Sequence, residues 1–81
     1  MDCNLEIDAI GLLCPLPVLK LRKKITGLRS GSIVKILADD PAAIIDIPHF
    51  CKENNYIFLT SNVIEETPKS KSHSEYFVQK V

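Results

Sequence analysis

The chain has no tryptophan, only three glycines and three cysteines, and no surplus of either charge. Each shortage removes a class of explanation. Ten basic residues balance ten acidic ones across 81 residues, so no global field draws the protein to nucleic acid or anionic lipid. Three cysteines are an odd number and too few for a disulfide framework. No apolar run approaches the roughly 18–20 residues that span a bilayer. The opening MDCNLEID lacks the basic start and apolar core of a secretory signal. The expectation is a reduced, cytoplasmic protein with no membrane partner, in which a thiol can stay free. Pro17 stands where a thioredoxin-type C-x-x-C pair needs its second cysteine, and there is no G-x-G-x-x-G or phosphate loop. The possible zinc ligands Cys3, Cys14, His49, Cys51 and His73 are scattered. His49 and Cys51, two apart on an expected helix, point about 200° away from each other. No metal and no cofactor is expected.

What is present is an ordinary globular composition, 46% hydrophobic and 25% charged. A chain this short buries roughly 60–65% of its unfolded surface, enough for one modest core, and residues 1–81 read as a single domain. Residues 4–9 alternate, with Leu5, Ile7 and Ala9 on one side and Glu6 and Asp8 on the other, which suits a half-buried strand. From Pro15 the period changes, and Val18, Leu21 and Ile25 recur at helical spacing over about 12 residues. Gly27 is expected to end that helix in a left-handed conformation, with Leu28 folding back onto the apolar stripe. Gly31 closes a turn before a second, β-branched strand, SIVKILAD.

Asp40 and Pro41 then suit the start of a second helix whose face carries Ala43, Ile47, Phe50 and Cys51. Pro48 predicts a kink or a restart capped by Asp46, followed by helix to about Glu53 and a left-handed asparagine at 54 or 55. YIFLTSNVI is a third strand, EETPKSKSH a polar loop, and SEYFVQKV a fourth strand. The expected fold is α+β: a βαβαββ two-layer α/β sandwich. Its mixed four-stranded sheet carries two helices on one face, with strands one to three parallel and the last two an antiparallel hairpin. The other face is left open to water or a partner.

Cys14 sits where the first strand's loop meets the first helix. With Pro15 at the first helical position, Cys14 is expected at the N-cap, where unpaired N–H groups and the helix dipole favour a thiolate. Pro15 holds Cys14 extended and Pro17 still lies in the first turn, so both stiffen the cysteine's platform. A cysteine beside leucines is also a common packing residue, and position alone leaves both readings open. Cys51, on the apolar helix face beside Phe50, reads as structural.

Several segments together resemble one family. DAIGLLCPLP matches the D-x-x-G-L-x-C-P-x-P signature of the TusA/SirA-like sulfur carriers, ADDPAAIIDIPHFC is similar to their second block, and YFVQKV to their last strand. The resemblance spans residues 5 to 81. It implies the same βαβαββ sandwich and a cytoplasmic sulfurtransferase, a carrier with no small-molecule pocket. Its C-P-x-P cysteine, here Cys14, takes a persulfide sulfur from a cysteine desulfurase and passes it to a downstream sulfur-acceptor protein. In the best-known members the relay leads to 2-thiolation of tRNA wobble uridine; paralogues with the same motif serve other sulfur or selenium routes. Gly11, Pro15 and Pro17 support the site, and Asp8, Asp40, Pro41, Asp46 and Pro48 match as turn formers and caps. Leu13 stands where those members often carry arginine.

Leu16 and Leu19 point away from the core stripe yet are apolar and close to Cys14, so they are expected to form a docking patch. Lys20, Arg22 and Lys23, with Lys24 and Arg29 near them, are either a solvated helix face or a surface that steers a partner. Direct nucleic-acid binding is not expected. A reading from another class is a regulatory or interaction module that docks through the open sheet face without sulfur chemistry.

Overall fold

The computed structural model describes residues 3–68 and 72–81. The elements run β1 (Leu5–Asp8), α1 (Leu16–Ile25), β2 (Ile33–Ala38), α2 (Ala43–Glu53), β3 (Ile57–Ile64) and β4 (His73–Gln79). This is the expected βαβαββ order. The four strands form one mixed sheet in the order β1-β2-β4-β3. β1 pairs with β2 in parallel, and β4 pairs antiparallel with both β2 and β3. β3 therefore runs in the direction of β1 and β2 but lies beyond β4 at the far edge. The register slips between Phe58 and Thr60, leaving Leu59 as an extra residue in β3. The polar loop expected over 65–73 falls partly outside the described residues.

Alternation along the strands decides which face is buried. Ile7, Val34, Ile36, Ala38, Tyr76 and Val78 point to one side, where α1 contributes Leu21 and Ile25 and α2 contributes Ala43, Ile47, Phe50 and Cys51. Each fully buried leucine or isoleucine here stabilises the fold by roughly 1.5–3 kcal/mol. Leu28 and Val18 pack partly against this core, as their spacing predicts. On the other side of the sheet Lys35 lies between Glu6 at 3.6 Å and Glu75 at 3.2 Å. That face also carries Phe77, in register with Lys35 and nearly inaccessible.

Three local expectations change. Gly27 is not left-handed. Instead α1 closes at Thr26, and the Lys80 ammonium donates to the carbonyls of Thr26 and Leu28 at 2.8 and 2.7 Å. A cation from the last strand thus satisfies the helix end that a glycine commonly satisfies. Pro48 does not restart α2, which runs as one helix from Ala43 to Glu53. The helix begins later than Asp40, so Pro48 is near its start and withholds a donor only from the carbonyl of Ile44, an exposed residue. Asp46 consequently is no cap; it lies inside the first turn of α2. The left-handed residue after α2 is Asn55, at φ 61°.

Candidate functional site

Because β1 and β2 are parallel, with Asp8 opposite Leu37, their C-terminal ends open on the same edge of the sheet. Two loops leave that edge side by side, one from β1 to α1 and the other from β2 to α2. Amides of the first loop donate to carboxylates of the second. The Gly11 N–H meets Asp39 Oδ1 at 2.9 Å and the Cys14 N–H meets Asp40 Oδ2 at 2.8 Å. Asp8 Oδ1 accepts from the Ile10 N–H at 3.0 Å, the role of a turn former. Gly11 adopts φ +87°, a conformation that a side chain at this position would strain. These contacts fix the backbone that presents Cys14.

Cys14 is exposed, and its Sγ–H donates to Asp46 Oδ2 at 3.0 Å. The sulfur does not cap α1. The helix begins at Leu16, Pro15 occupies the cap position, and no side chain bonds the helix end. The Leu16 N–H is already taken by the Leu13 carbonyl at 2.8 Å, and Pro17 has no N–H. The helix start therefore offers the sulfur fewer donors than its sequence position suggests. The expected thiolate stabilisation is reversed: the hydrogen bond to Asp46, then partial loss of water, then the charges of Asp46 and Asp40, hold the thiol above its ordinary pKa. Pro17 is fully buried and anchors the first turn of α1 beneath the site.

A groove of about 320 Å³ begins at Cys14 and runs between the two helices. Val18, Leu19 and Arg22 line it from α1, and Asp46, His49 and Phe50 from α2. The groove is open to solvent along its length rather than an enclosed cavity. His49 pairs with Glu53 one turn further along α2. Leu16 and Leu19 are each 48% exposed, and Leu13 and Ile45 more so; Leu19 lines the groove with Cys14. Of the basic residues, Arg22 reaches the groove and Lys23 is exposed, whereas Lys20 Nζ is tied to the Asp8 carbonyl at 2.6 Å. Cys51 is buried on α2 and Cys3 is exposed, neither beside this cluster.

Sγ of Cys14 and carboxylate oxygens of Asp40 and Asp46 lie within 4.8 Å of one another. Hydrogen bonds account for the grouping: Asp46 accepts from Sγ, and Asp40 accepts from the amides of Cys14 and, more weakly, Ala42.

A family model described as "Sulfurtransferase TusA" matches residues 5–78. The chain belongs to the TusA family. It is 41% identical over 66 residues to a protein named sulfur carrier protein TusA from Pseudomonas syringae pv. syringae, covering 82% of this chain and 73% of that one. Among solved structures, a SirA-like protein from Desulfitobacterium hafniense superposes with a TM-score of 0.68 at 23% identity, over 95% of this chain and 99% of that one. A tRNA methyltransferase from B. subtilis has a similar fold, with TM-score 0.67 at 14% identity, over 94% of this chain but 31% of its own. The TusA family is one of sulfurtransferases and sulfur carriers, so sulfur transfer is the chemistry of the family to which this chain belongs. No helix of the described residues is long and apolar enough to cross a membrane.

Two contributors take roles that the sequence did not single out, Asp39 as an acceptor for the Gly11 amide and Asp46 as the partner of the thiol. The signal for Asp39 was available: parallel β1 and β2 must place the acidic run after Ala38 beside the loop after Asp8. For Asp46 the signal was obscured by Pro48, which pointed to a helix restart with that residue as its cap.

Proposed function

We propose that Cys14 is the sulfur-carrying residue of this TusA-family protein. It takes the outer sulfur of a persulfide held by a cysteine desulfurase, carries it as Cys14–S–SH, and yields it to an acceptor thiol on the next protein of a relay. The observation that carries this reading is an exposed thiol in the C-P-x-P corner, held from both ends by the adjoining loop and helix and opening onto an apolar-rimmed groove. Exposure matters because thiol exchange depends on access as well as on thiolate fraction. Leu16 and Leu19 supply apolar contact for the donor or the acceptor, while Arg22 and Lys23 steer their approach. We place the reaction in the cytoplasm, where low-disulfide conditions keep the thiol reduced, and its end product includes 2-thiolated tRNA wobble uridine if this chain serves that branch of the family.

Incubation with a cysteine desulfurase and free cysteine is expected to add about 32 Da, one sulfur atom, to the intact protein. Cys14→Ser should abolish the increment and Cys51→Ala should keep it. No increment with any persulfide donor would instead favour an interaction module without sulfur chemistry.

A further inference from the structure

We propose that Asp46 is a latch on Cys14: while the carrier is empty its carboxylate keeps the proton on Sγ, and this contact must open before the sulfur attacks a donor. The inference rests on the reading of Cys14 as the carrier residue, and it concerns what restrains that residue between transfers.

The geometry is built rather than incidental. Asp46 belongs to α2, a different element from the Cys14 loop, and its neighbour Ile47 is fully buried. The backbone that carries the carboxylate is therefore held by the packing of α2 on the core. Cys14 is tied at its main chain to Asp40 and at its side chain to Asp46, 2.8 and 3.0 Å away. The charged or titratable groups around the sulfur are Asp40 from the β2–α2 loop, Asp46, His49 and Glu53 from α2, and Arg22 from α1. Of these, Asp46 is the one hydrogen-bonded to Sγ. A carboxylate can accept a proton-mediated bond from a thiol but only repels a thiolate. The resting contact thus favours the form that neither attacks nor oxidises readily, which suits a sulfur exposed to solvent.

Sulfur acceptance then has an opening step. The Sγ proton leaves to water, and the freed electron pair forms a bond to the outer sulfur of the donor's persulfide. The donor's internal S–S bond breaks, its electron pair stays on the donor sulfur, and that sulfur takes up a proton. One S–S bond is made and one is broken, so no oxidant is required. In the loaded state Sγ has no proton to donate, and the outer sulfur stands about 2 Å further out. The latch therefore acts on the empty carrier.

The test follows iodoacetamide alkylation of Cys14 from pH 6 to 10 by peptide mass spectrometry, in a Cys3→Ser background that removes the other exposed thiol. Asp46→Asn should label roughly 3- to 10-fold faster than the parent at pH 7, with its profile displaced to lower pH. A profile that superimposes on the parent's, or moves to higher pH, would overturn the latch. If far-UV circular dichroism finds Asp46→Asn unfolded, the parent decides the matter. A Cys14 midpoint above the unperturbed value of 9.0 supports the proposal, and one at or below it overturns it. Donor-dependent mass increase is scored separately on the parent. A labelling shift without sulfur uptake would sink the carrier reading and leave the restraint intact; uptake without a shift would do the reverse.

Discussion

Cys14 and Cys51 lie on opposite sides of the same problem, since both thiols are held protonated but by causes of different permanence. Cys51 is 2% exposed on the inner face of α2, and burial pushes its thiol up to about 11. Cys14 is exposed, and a hydrogen bond to one carboxylate is the largest cause of its shift. Burial yields only when the helix leaves the sheet. A single hydrogen bond at the surface yields when a partner arrives. Within a chain of 81 residues, one cysteine is thus closed off by the fold and another stays within reach of solvent.

The sharpest way to break this comparison is to label both thiols in the native protein. Cys14 should react with iodoacetamide at least about 100-fold faster than Cys51, which becomes reactive only through opening of the fold. Time-resolved peptide mass spectrometry measures both rates together, and comparable rates would show that α2 does not protect its cysteine. Leu16→Asp comes next. Leu16 is half exposed on the first turn of α1, so the variant should melt close to the parent. Donor-dependent sulfur loading should slow about tenfold, as expected when a docking surface is deprived of an apolar anchor. Unchanged loading would remove Leu16 from the patch.

A smaller effect separates the two thiols by pH. The folded pKa of Cys51 is raised from 9.0 to about 11, so above pH 9 the unfolded chain binds fewer protons than the native one. Stability supplied by the buried thiol is complete below pH 9 and is lost as pH rises through 11. Urea titrations at pH 8 and 10.5 should show this loss, and it should shrink in Cys51→Ala when each protein is compared with itself at the lower pH. An undiminished loss in that variant would assign the alkaline sensitivity to other groups.

Much of the architecture was legible because its signals are periodic. Ile7 and Ala9 alternate with acids, Leu21 and Ile25 fall one turn apart, and every one of them is buried where the pattern puts it. Ala43, Ile47, Phe50 and Cys51 likewise mark the inner face of α2. The position of β4 between β2 and β3 was not legible, since strand periodicity says which face is buried and not which neighbour is paired. The site was legible at one residue and not at its surroundings. Cys14 stands out through the adjacent prolines, but its electrostatics come from Asp40 and Asp46, 26 and 32 positions away in the chain. Helix-end reasoning from the motif alone therefore reached the wrong sign for the thiol's shift, because it counted a dipole and could not count carboxylates from another element.

The smallest predicted effect tests whether the basic surface beside Cys14 belongs with the site or with the solvent. Arg22 and Lys23 are exposed on α1, and Arg22 lines the groove that starts at the sulfur. If they steer an acidic partner, Lys23→Ala should lower the second-order rate of sulfur loading about 2- to 3-fold at low salt, leaving the rate at saturating donor unchanged. The deficit should fade as salt rises, because the screening length contracts from about 10 Å at 0.1 M to about 3 Å at 1 M. A deficit that persists at 1 M salt would mean direct contact rather than steering. No deficit at any salt would leave Lys23 as a solvated helix residue. Lys20 is a poor choice for the same experiment, since its ammonium is bonded to the end of β1, and its removal would disturb the loop that carries Cys14 as well as the field around it.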